Sequence, residues 1–363
     1  MEFALTPDQI QMQDSLDRTL ERIAPLDRVR EIAAQATPSA DDVRTALAEL
    51  GAAAVLVPEA YGGLGLTVLD AALLAEMMGR HTACAPFFGP ALAAIALTQC
   101  GSEAQKTIWL PRIASGEASL GVAISEHASG ARLGAGISSI NGKLSGKSLF
   151  VIDFSAADAF IVADRAGGLH LVPADAAGLT RTALTSIDRT RSIGELGFAD
   201  VTAEPLSSGD ATATLARMRD VGRILLAADT LGASQKMIER AVAYSKERQQ
   251  FGRVIGSFQA VKHLCAEMAA ELEPCRALVW YAAYAQDALP EEATLTAAHA
   301  KAHLGEVGRF VARTATEVFG GIGITDLLGL HFAFKRIGLD RQLLGSPERA
   351  RRDAAVSQGF VSA

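Results

Sequence analysis

Two rhythms of hydrophobic and polar positions divide the chain. From Thr6 to Arg22 the apolar residues Ile10, Leu16 and Leu20 fall on one helical face, and Thr6 before Pro7 reads as an N-cap followed by a first-turn proline. A second helix is predicted from about Ala40 to Leu50. The stretch VLVPEAYGGLG then interrupts the pattern, because Pro58 and Gly62–Gly63 demand a turn. Helical spacing returns over Thr67–Gly79 and Pro90–Leu97, breaks at Gly101–Ser102, and resumes over Glu103–Ala114.

Beyond Gly116 the period shortens. LGVAIS, GISSING, LFVIDF, DAFIVAD and GLHLVPAD are short β-type runs between Leu120 and Leu206, separated by glycine, asparagine and aspartate turns. Asn141–Gly142 has the composition of a two-residue hairpin turn. These runs predict a small barrel-like β domain of six to eight strands. The helical period resumes near Thr212, with Leu215, Met218, Leu225, Leu226, Met237 and Val242 at helical spacings, and continues to about Ala355. Cys265–Tyr284 and Ala293–Glu317 are two further long helices, whose lengths suit a bundle rather than βα units. The expected fold class is α+β: an N-terminal helical domain over 1–117, a middle β-barrel-like domain over 118–209 and a C-terminal helical bundle over 210–363.

Composition narrows the function. With 363 residues, 49% of them hydrophobic, the chain can bury a large core and disorder is excluded. A formal net charge of -7 argues against non-specific nucleic-acid binding, although a local basic patch can still hold a phosphate. Cys84, Cys100, Cys265 and Cys275 form no CxxC pair and read as reduced structural thiols. The opening MEFALTPDQI lacks a basic segment followed by an apolar run, and no apolar run is long enough to span a bilayer. The expectation is a cytoplasmic protein with no membrane or nucleic-acid partner. No short-period repeat, sustained heptad or low-complexity tail is present.

The stretch with most chemistry is SKERQQFGRVIGSFQAVKH, Ser245–His263. The flat donor fork of Arg248 suits two oxygens of a diphosphate. Phe251 can pack beside such a ligand, Gly252 lets the backbone approach, and the Gln259 amide offers a donor and an acceptor. Further on, GGIGIT at Gly320–Thr325 follows a long helix and permits close approach to a bulky group, with the Thr325 hydroxyl at its end. The same residues would equally serve as a helix cap and chain-turning glycines. GGIGIT is neither a P-loop, lacking Lys-Ser/Thr, nor a dinucleotide fingerprint, because a helix precedes it. His299 and His303 are spaced i,i+4 with Glu306 near, but without HExxH no metal is expected. Ser125-Glu126-His127, read as strand, would point to alternate faces, and no GxSxG elbow frames the serine.

Four segments together resemble the acyl-CoA dehydrogenase flavoprotein family over nearly the whole chain: LTPDQ near the start, VPEAYGGLGL at 57–66, the ERQQFGRVIGSFQAVKH block, and FGGIGIT at 319–325. The resemblance implies a C-terminal four-helix bundle, assembly into dimers or tetramers, FAD bound between subunits, an acyl-CoA substrate, and electrons leaving to an electron-transfer flavoprotein. It places Arg248 on the FAD diphosphate of a neighbouring subunit, with Phe251, Gln259, Gly320, Gly321 and Thr325 beside the same cofactor, and Ser125 on the flavin. The family's proline and extra glycines after Glu126 are replaced here by His127, Ala128, Ser129 and Gly130. Its flavin-facing tryptophan and threonine are replaced near Leu149 and Val151.

The reaction implied is α,β-dehydrogenation, in which a carboxylate takes the α-proton of the thioester. The family's usual glutamate position falls on Leu344, in RQLLGSPER, and its alternative position falls on Gly222, in RDVGRI. Neither accepts a proton. Asp220, Asp326 and Asp340 are the nearby acids, and Glu317 stands where the family commonly has a glutamine facing the diphosphate. A subset of the family pairs unlike subunits, one carrying the base and the other part of the FAD clamp, and acts on CoA esters of steroid side chains and other bulky acids. TALTSIDRTRSIGELGF at 182–198 and LHFAFKR at 330–336 resemble that subset. The expectation is a subunit whose base comes from a second acyl-CoA dehydrogenase chain. The alternatives are a clamping or structural subunit without chemistry, or a homomeric flavoenzyme with a relocated acid.

Overall fold

The computed structural model describes residues 4–35, 40–130 and 132–362; the first three residues of the opening segment lie outside it. The N-terminal helices start where local chemistry supplies caps. Helix α1 (Pro7–Ile23) opens on a capping box in which the Gln9 amide N–H donates to Thr6 Oγ1 at 3.2 Å and the Thr6 amide N–H donates to Gln9 Oε1 at 3.0 Å. A second helix, α2 (Leu26–Ala34), follows Pro25 and was not expected. Its nine residues bury only Val29 and Ile32, too few to show a period. Helix α3 (Asp41–Glu49) matches the second predicted run. Thr67 with Asp70 and Ser102 with Gln105 form the capping boxes of α4 (Val68–Arg80) and α6 (Glu103–Ala114). Between them α5 (Phe88–Cys100) is buried on nearly every face.

The middle of the chain forms one sheet of eight strands among the described residues, in the order β6-β7-β3-β1-β4-β5-β8, with β2 paired to β3. The strands are β1 (Leu120–Ala123), β2 (Gly136–Ile140), β3 (Lys143–Ile152), β4 (Ala159–Ala163), β5 (Leu169–Pro173), β6 (Leu179–Ala183), β7 (Ile193–Thr202) and β8 (Glu204–Leu206). Asn141 and Gly142 join β2 to β3 with φ of 51° and 75°, the double left-handed geometry of a tight hairpin. The sheet has its own apolar core, including Val151, Phe160, Leu196 and Val201. One sequence reading is corrected here. Ser125 is not on a strand; it opens the short helix α7 (Ser125–Ser129).

Helix α8 (Ala211–Glu247) runs for 37 residues and is buried without interruption from Asp220 to Ser234. Helices α9 (Gln259–Ala288), α10 (Pro290–Phe319) and α11 (Leu330–Gln342) pack with it, and α12 (Pro347–Ser357) lies on α10. Where α4 crosses α8 the two backbones touch. A Cβ on Gly79 would stand 1.9 Å from the Asp229 carbonyl oxygen, and one on Gly232 would stand 1.8 Å from that of Glu76. Neither position can host a methyl group without separating the helices. Gly79→Ala is therefore expected to destabilise the protein by about 3 kcal/mol, despite the gain in helix propensity. Urea unfolding checks this, and a stable Gly79→Ala protein would contradict the crossing.

Candidate functional site

The candidate residues of the C-terminal half gather at one end of the bundle. Arg248 terminates α8: its amide N–H donates to the Tyr244 carbonyl at 2.9 Å, and its own carbonyl accepts from the Ile255 N–H at 2.7 Å. The second bond closes a small ribbon, β9 (Gln249–Gln250) against β10 (Arg253–Val254), whose tip is Phe251–Gly252 with φ of 52° and 76°. The tip leaves the Phe251 ring 92% exposed. The ring's neighbour is Phe258, edge-on at 6.2 Å, and Arg253 stacks over Phe258 at 4.0 Å. Gln259 opens α9 and hydrogen-bonds His263 at 3.0 Å. The Arg248 side chain is exposed, and among the described residues nothing pairs with its guanidinium.

Gly320 and Gly321 arrive from the other side. Tyr244 on α8 and Phe319 at the end of α10 stack with centroids 4.6 Å apart, so the two helix ends are neighbours. Gly320 has φ of 64°, and a Cβ on Gly320 or Gly321 would meet nothing within 4 Å. The Thr325 hydroxyl donates to the Ile322 carbonyl at 2.7 Å. Ile324 and Leu327 are bare at 75% and 71% exposure. This end thus offers an unpaired guanidinium, an open two-glycine platform and exposed apolar side chains. The set fits half of a site for a large anionic, aromatic ligand. Glu317 is exposed one turn before the glycines, and its carbonyl accepts the Gly320 N–H.

The β-domain candidate is differently placed. Ser125 is buried and its hydroxyl donates to the Phe150 carbonyl at 3.1 Å. Glu126 accepts from Ser148 Oγ and from the Leu149 N–H, both at 2.8 Å. Strand β3 shifts register against β7 between Ser148 and Val151, and Phe150 there takes φ of 53° with Arg132 over its ring at 4.6 Å. These groups satisfy one another.

The positions where a base was sought turn out to touch. A Cβ built on Gly222 would lie 2.3 Å from Leu344 Cδ1 and 3.2 Å from Leu92 Cδ1. Leu344 is 1% exposed and sits at φ of 53°, held by Arg223, whose Nε donates to the Leu344 carbonyl at 2.9 Å. Arg223 also bonds the Ala128 carbonyl at 3.2 Å and Asp353 at 2.6 Å, tying α8 to α7 and α12. Leucine, leucine and glycine thus fill the volume with hydrocarbon.

None of the neighbouring acids is free to act there. Asp220 accepts from Arg219 at 2.8 Å and from the Thr294 hydroxyl at 2.7 Å. Asp326 is exposed, and its bond to His331 at 2.8 Å holds its carboxyl below the usual range. Asp340 precedes Leu344 in the sequence, but α11 ends at Gln342 and Asp340 is buried in the bundle. Burial pushes its carboxyl well above the usual range. His299 and His303 are both exposed, and no group of three or more metal-ligating side chains occurs among the described residues. All four cysteines carry free thiols, and burial pushes those of Cys84 and Cys275 up to about 12.

Comparison with known proteins bears on this geometry. The acyl-CoA dehydrogenase N-terminal domain family matches residues 6–117, and the acyl-CoA dehydrogenase C-terminal domain family matches residues 213–358. The chain is 31% identical over 305 residues to acyl-CoA dehydrogenase IpdE2 of Mycolicibacterium smegmatis, covering 84% of each chain. The chain belongs to the acyl-CoA dehydrogenase family. Members are FAD-dependent oxidoreductases acting on the CH–CH bond of acyl-CoA. Among solved structures, the steroid acyl-CoA dehydrogenase Tcur3481-Tcur3483, as its G363A variant, superposes with a TM-score of 0.87 at 28% identity, over 97% of this chain and 98% of that one. The ChsE4-ChsE5 complex of Mycobacterium tuberculosis shares the fold, with a TM-score of 0.90 at 24% identity and full coverage of both chains. Among the described residues no helix of this acyl-CoA dehydrogenase is long and apolar enough to cross a membrane.

Proposed function

We propose that this acyl-CoA dehydrogenase is the FAD-clamping subunit of a heteromeric enzyme, and that the α-proton is removed by a carboxylate of a second, base-bearing chain. The observation that carries the proposal is the contact of Gly222 with Leu344. Both base positions are apolar and occupy each other's space, while the Arg248 end is exposed and unpaired. A site that has lost its base but kept its clamp has a use only if the two are supplied by different chains. The pairing fits the relatives, since the steroid acyl-CoA dehydrogenase and the ChsE4-ChsE5 complex are each named for two components.

In this reading the chain binds and orients. Arg248 would hold the diphosphate by charge and hydrogen bonding, Gly320 and Gly321 would let the cofactor come close to the backbone, and Phe251 and Gln259 would border it. Bound FAD supplies the hydride acceptor for α,β-dehydrogenation of a CoA thioester, with an electron-transfer flavoprotein as the onward acceptor. Ile324 and Leu327, both exposed, would add apolar surface to a subunit contact at this end. The steroid-related relatives point to a bulky acyl group. The engagement of Asp220, Asp326 and Asp340 disfavours a homomeric enzyme with a relocated acid.

The test is co-production with an acyl-CoA dehydrogenase encoded beside it. Flavin absorbance, assembly mass and turnover on short, branched and steroid side-chain CoA esters are then measured. Expected are flavin and turnover in the mixture, with turnover abolished and flavin retained when the second chain's glutamate is removed. Stoichiometric FAD and dehydrogenation by this chain alone would sink the proposal.

A further inference from the structure

The connection between α10 and α11 runs from Gly320 to Gly329, and its two ends are held differently. At Gly320 and Gly321 it is open on the side where a Cβ would stand. From Asp326 onward it is gripped. Arg30 of α2 donates through Nη2 to the Asp326 carbonyl at 2.5 Å and to the Leu327 carbonyl at 2.7 Å. Arg240 of α8 donates through Nη2 to the next carbonyl, that of Leu328, at 2.5 Å. Two guanidiniums from distant parts of the chain thus hold three successive carbonyls. The Asp326 carboxylate is engaged as well, bonding His331 at 2.8 Å and lying 3.5 Å from Arg30 Nε. Gly329 has φ of 61°, and a Cβ there would stand 2.2 Å from Leu26 Cδ1, so α2 also lies against the end of the connection.

Charge pairing does not account for the Arg240 grip. Arg240 is partly buried, and among the described residues no carboxylate pairs with it. Burial alone pulls its guanidinium below the ordinary range. A partly desolvated cation without a counter-ion costs stability, and what it makes here is a main-chain bond. Arg240, Tyr244 and Arg248 follow one another at intervals of four residues, so they stand on successive turns along one side of α8. The first holds the Leu328 carbonyl, the second stacks on Phe319 just before the glycines, and the third is the exposed guanidinium of the clamp. One side of one helix therefore sets where both ends of the connection stand relative to Arg248.

We propose that Arg240 and Arg30 are positioning residues for the cofactor half-site: by fixing the carbonyls of residues 326–328 they hold the Gly320–Gly321 platform in place against Arg248, and they make α2 a strut of the site. This role rests on the clamp reading and extends it to two residues that need touch no ligand. A platform that wanders binds more weakly in proportion to the time it is out of place. Linkage requires the reverse as well: a cofactor that prefers the fixed platform must itself order the connection on binding. Helix α2 thereby gains a function beyond the burial of Val29 and Ile32.

Arg240→Met and Arg30→Met keep the aliphatic stem and remove the donors. In the full-length chain alone, amide hydrogen exchange over residues 320–331 should quicken at least about 5-fold in each, while exchange in the buried middle of α8 stays unchanged. In the co-produced complex FAD retention should weaken roughly 5- to 30-fold, and less in Arg240→Lys, which keeps a donor for the Leu328 carbonyl. Saturating FAD should restore the slow exchange in the methionine variants, a repair that a merely structural role does not give. Should Arg240→Met fail to fold, Arg240→Lys and Arg30→Met carry the same comparison. Exchange that stays slow in the folded variants, or that quickens while FAD retention is intact, overturns the strut. Arg248→Ala keeps the two readings apart. If it releases FAD and the strut variants do not, the clamp stands and the strut falls; if the unsubstituted complex holds no FAD, the clamp falls and takes the cofactor role of Arg240 and Arg30 with it.

Discussion

Arg248→Ala in the co-assembled enzyme is expected to weaken FAD retention roughly 30- to 150-fold, while the melting behaviour of the isolated chain stays within error. The size follows from removing a charge-assisted donor pair, about 2–3 kcal/mol. The indifference of the isolated chain follows from the structure, in which the guanidinium is exposed and has no hydrogen-bond or charge partner among the described residues. Flavin absorbance after gel filtration and a calorimetric titration of the apo complex measure the first; thermal unfolding of the single chain measures the second. Arg248→Lys should recover less than half of the lost affinity, because a point charge cannot bridge two oxygens. Full flavin content in Arg248→Ala would remove Arg248 from the cofactor site. A large drop in single-chain stability would give it a structural role.

The second large effect concerns the sealed base position. Gly222→Ala alone drives a methyl group into Leu344 and is expected to cost about 1–3 kcal/mol. Leu344→Ala alone leaves a hole beside Leu92 and is expected to cost about 2–5 kcal/mol. In the double variant the new methyl occupies part of that hole, so the two costs should fall short of their sum by at least about 1 kcal/mol. Gly222→Glu should be worse than either and should not restore turnover, since it buries a carboxylate among leucine side chains. Additive costs in the urea-unfolding cycle would mean that the two positions do not share one volume.

Much of the architecture was legible because it is written locally. Thr6, Thr67 and Ser102 announce helix starts through bonds three residues away, and Asn141–Gly142 announces a hairpin through its own backbone preference. What escaped depends on distant partners. Ser125 ends an apolar run that reads as strand. The chain turns into a helix there while Glu126 is held by Ser148 and Leu149, more than twenty residues on. Leu344 and Gly222 could each be named as positions lacking a base, but nothing in their neighbourhoods reveals that they touch. The buried charges were missed for a related reason. Arg336 and Asp340 on α11 and Lys301 on α10 are buried, and Arg336 and Asp340 meet Asp188 and Arg191 of the loop before β7, far off in the sequence. The dense run of charge and hydroxyl in IDRTR was the available signal, since such a run in a loop needs either water or partners.

The crossing where Gly79 meets Asp229 and Gly232 meets Glu76 has a mechanical corollary. With main chain resting on main chain there is no side-chain layer to slide on, so α4 cannot shift along α8 by a fraction of a turn without a collision. The N-terminal helices carried by α4 must follow α8 as one rigid body, and any hinge that serves docking or ligand entry has to lie elsewhere in the molecule.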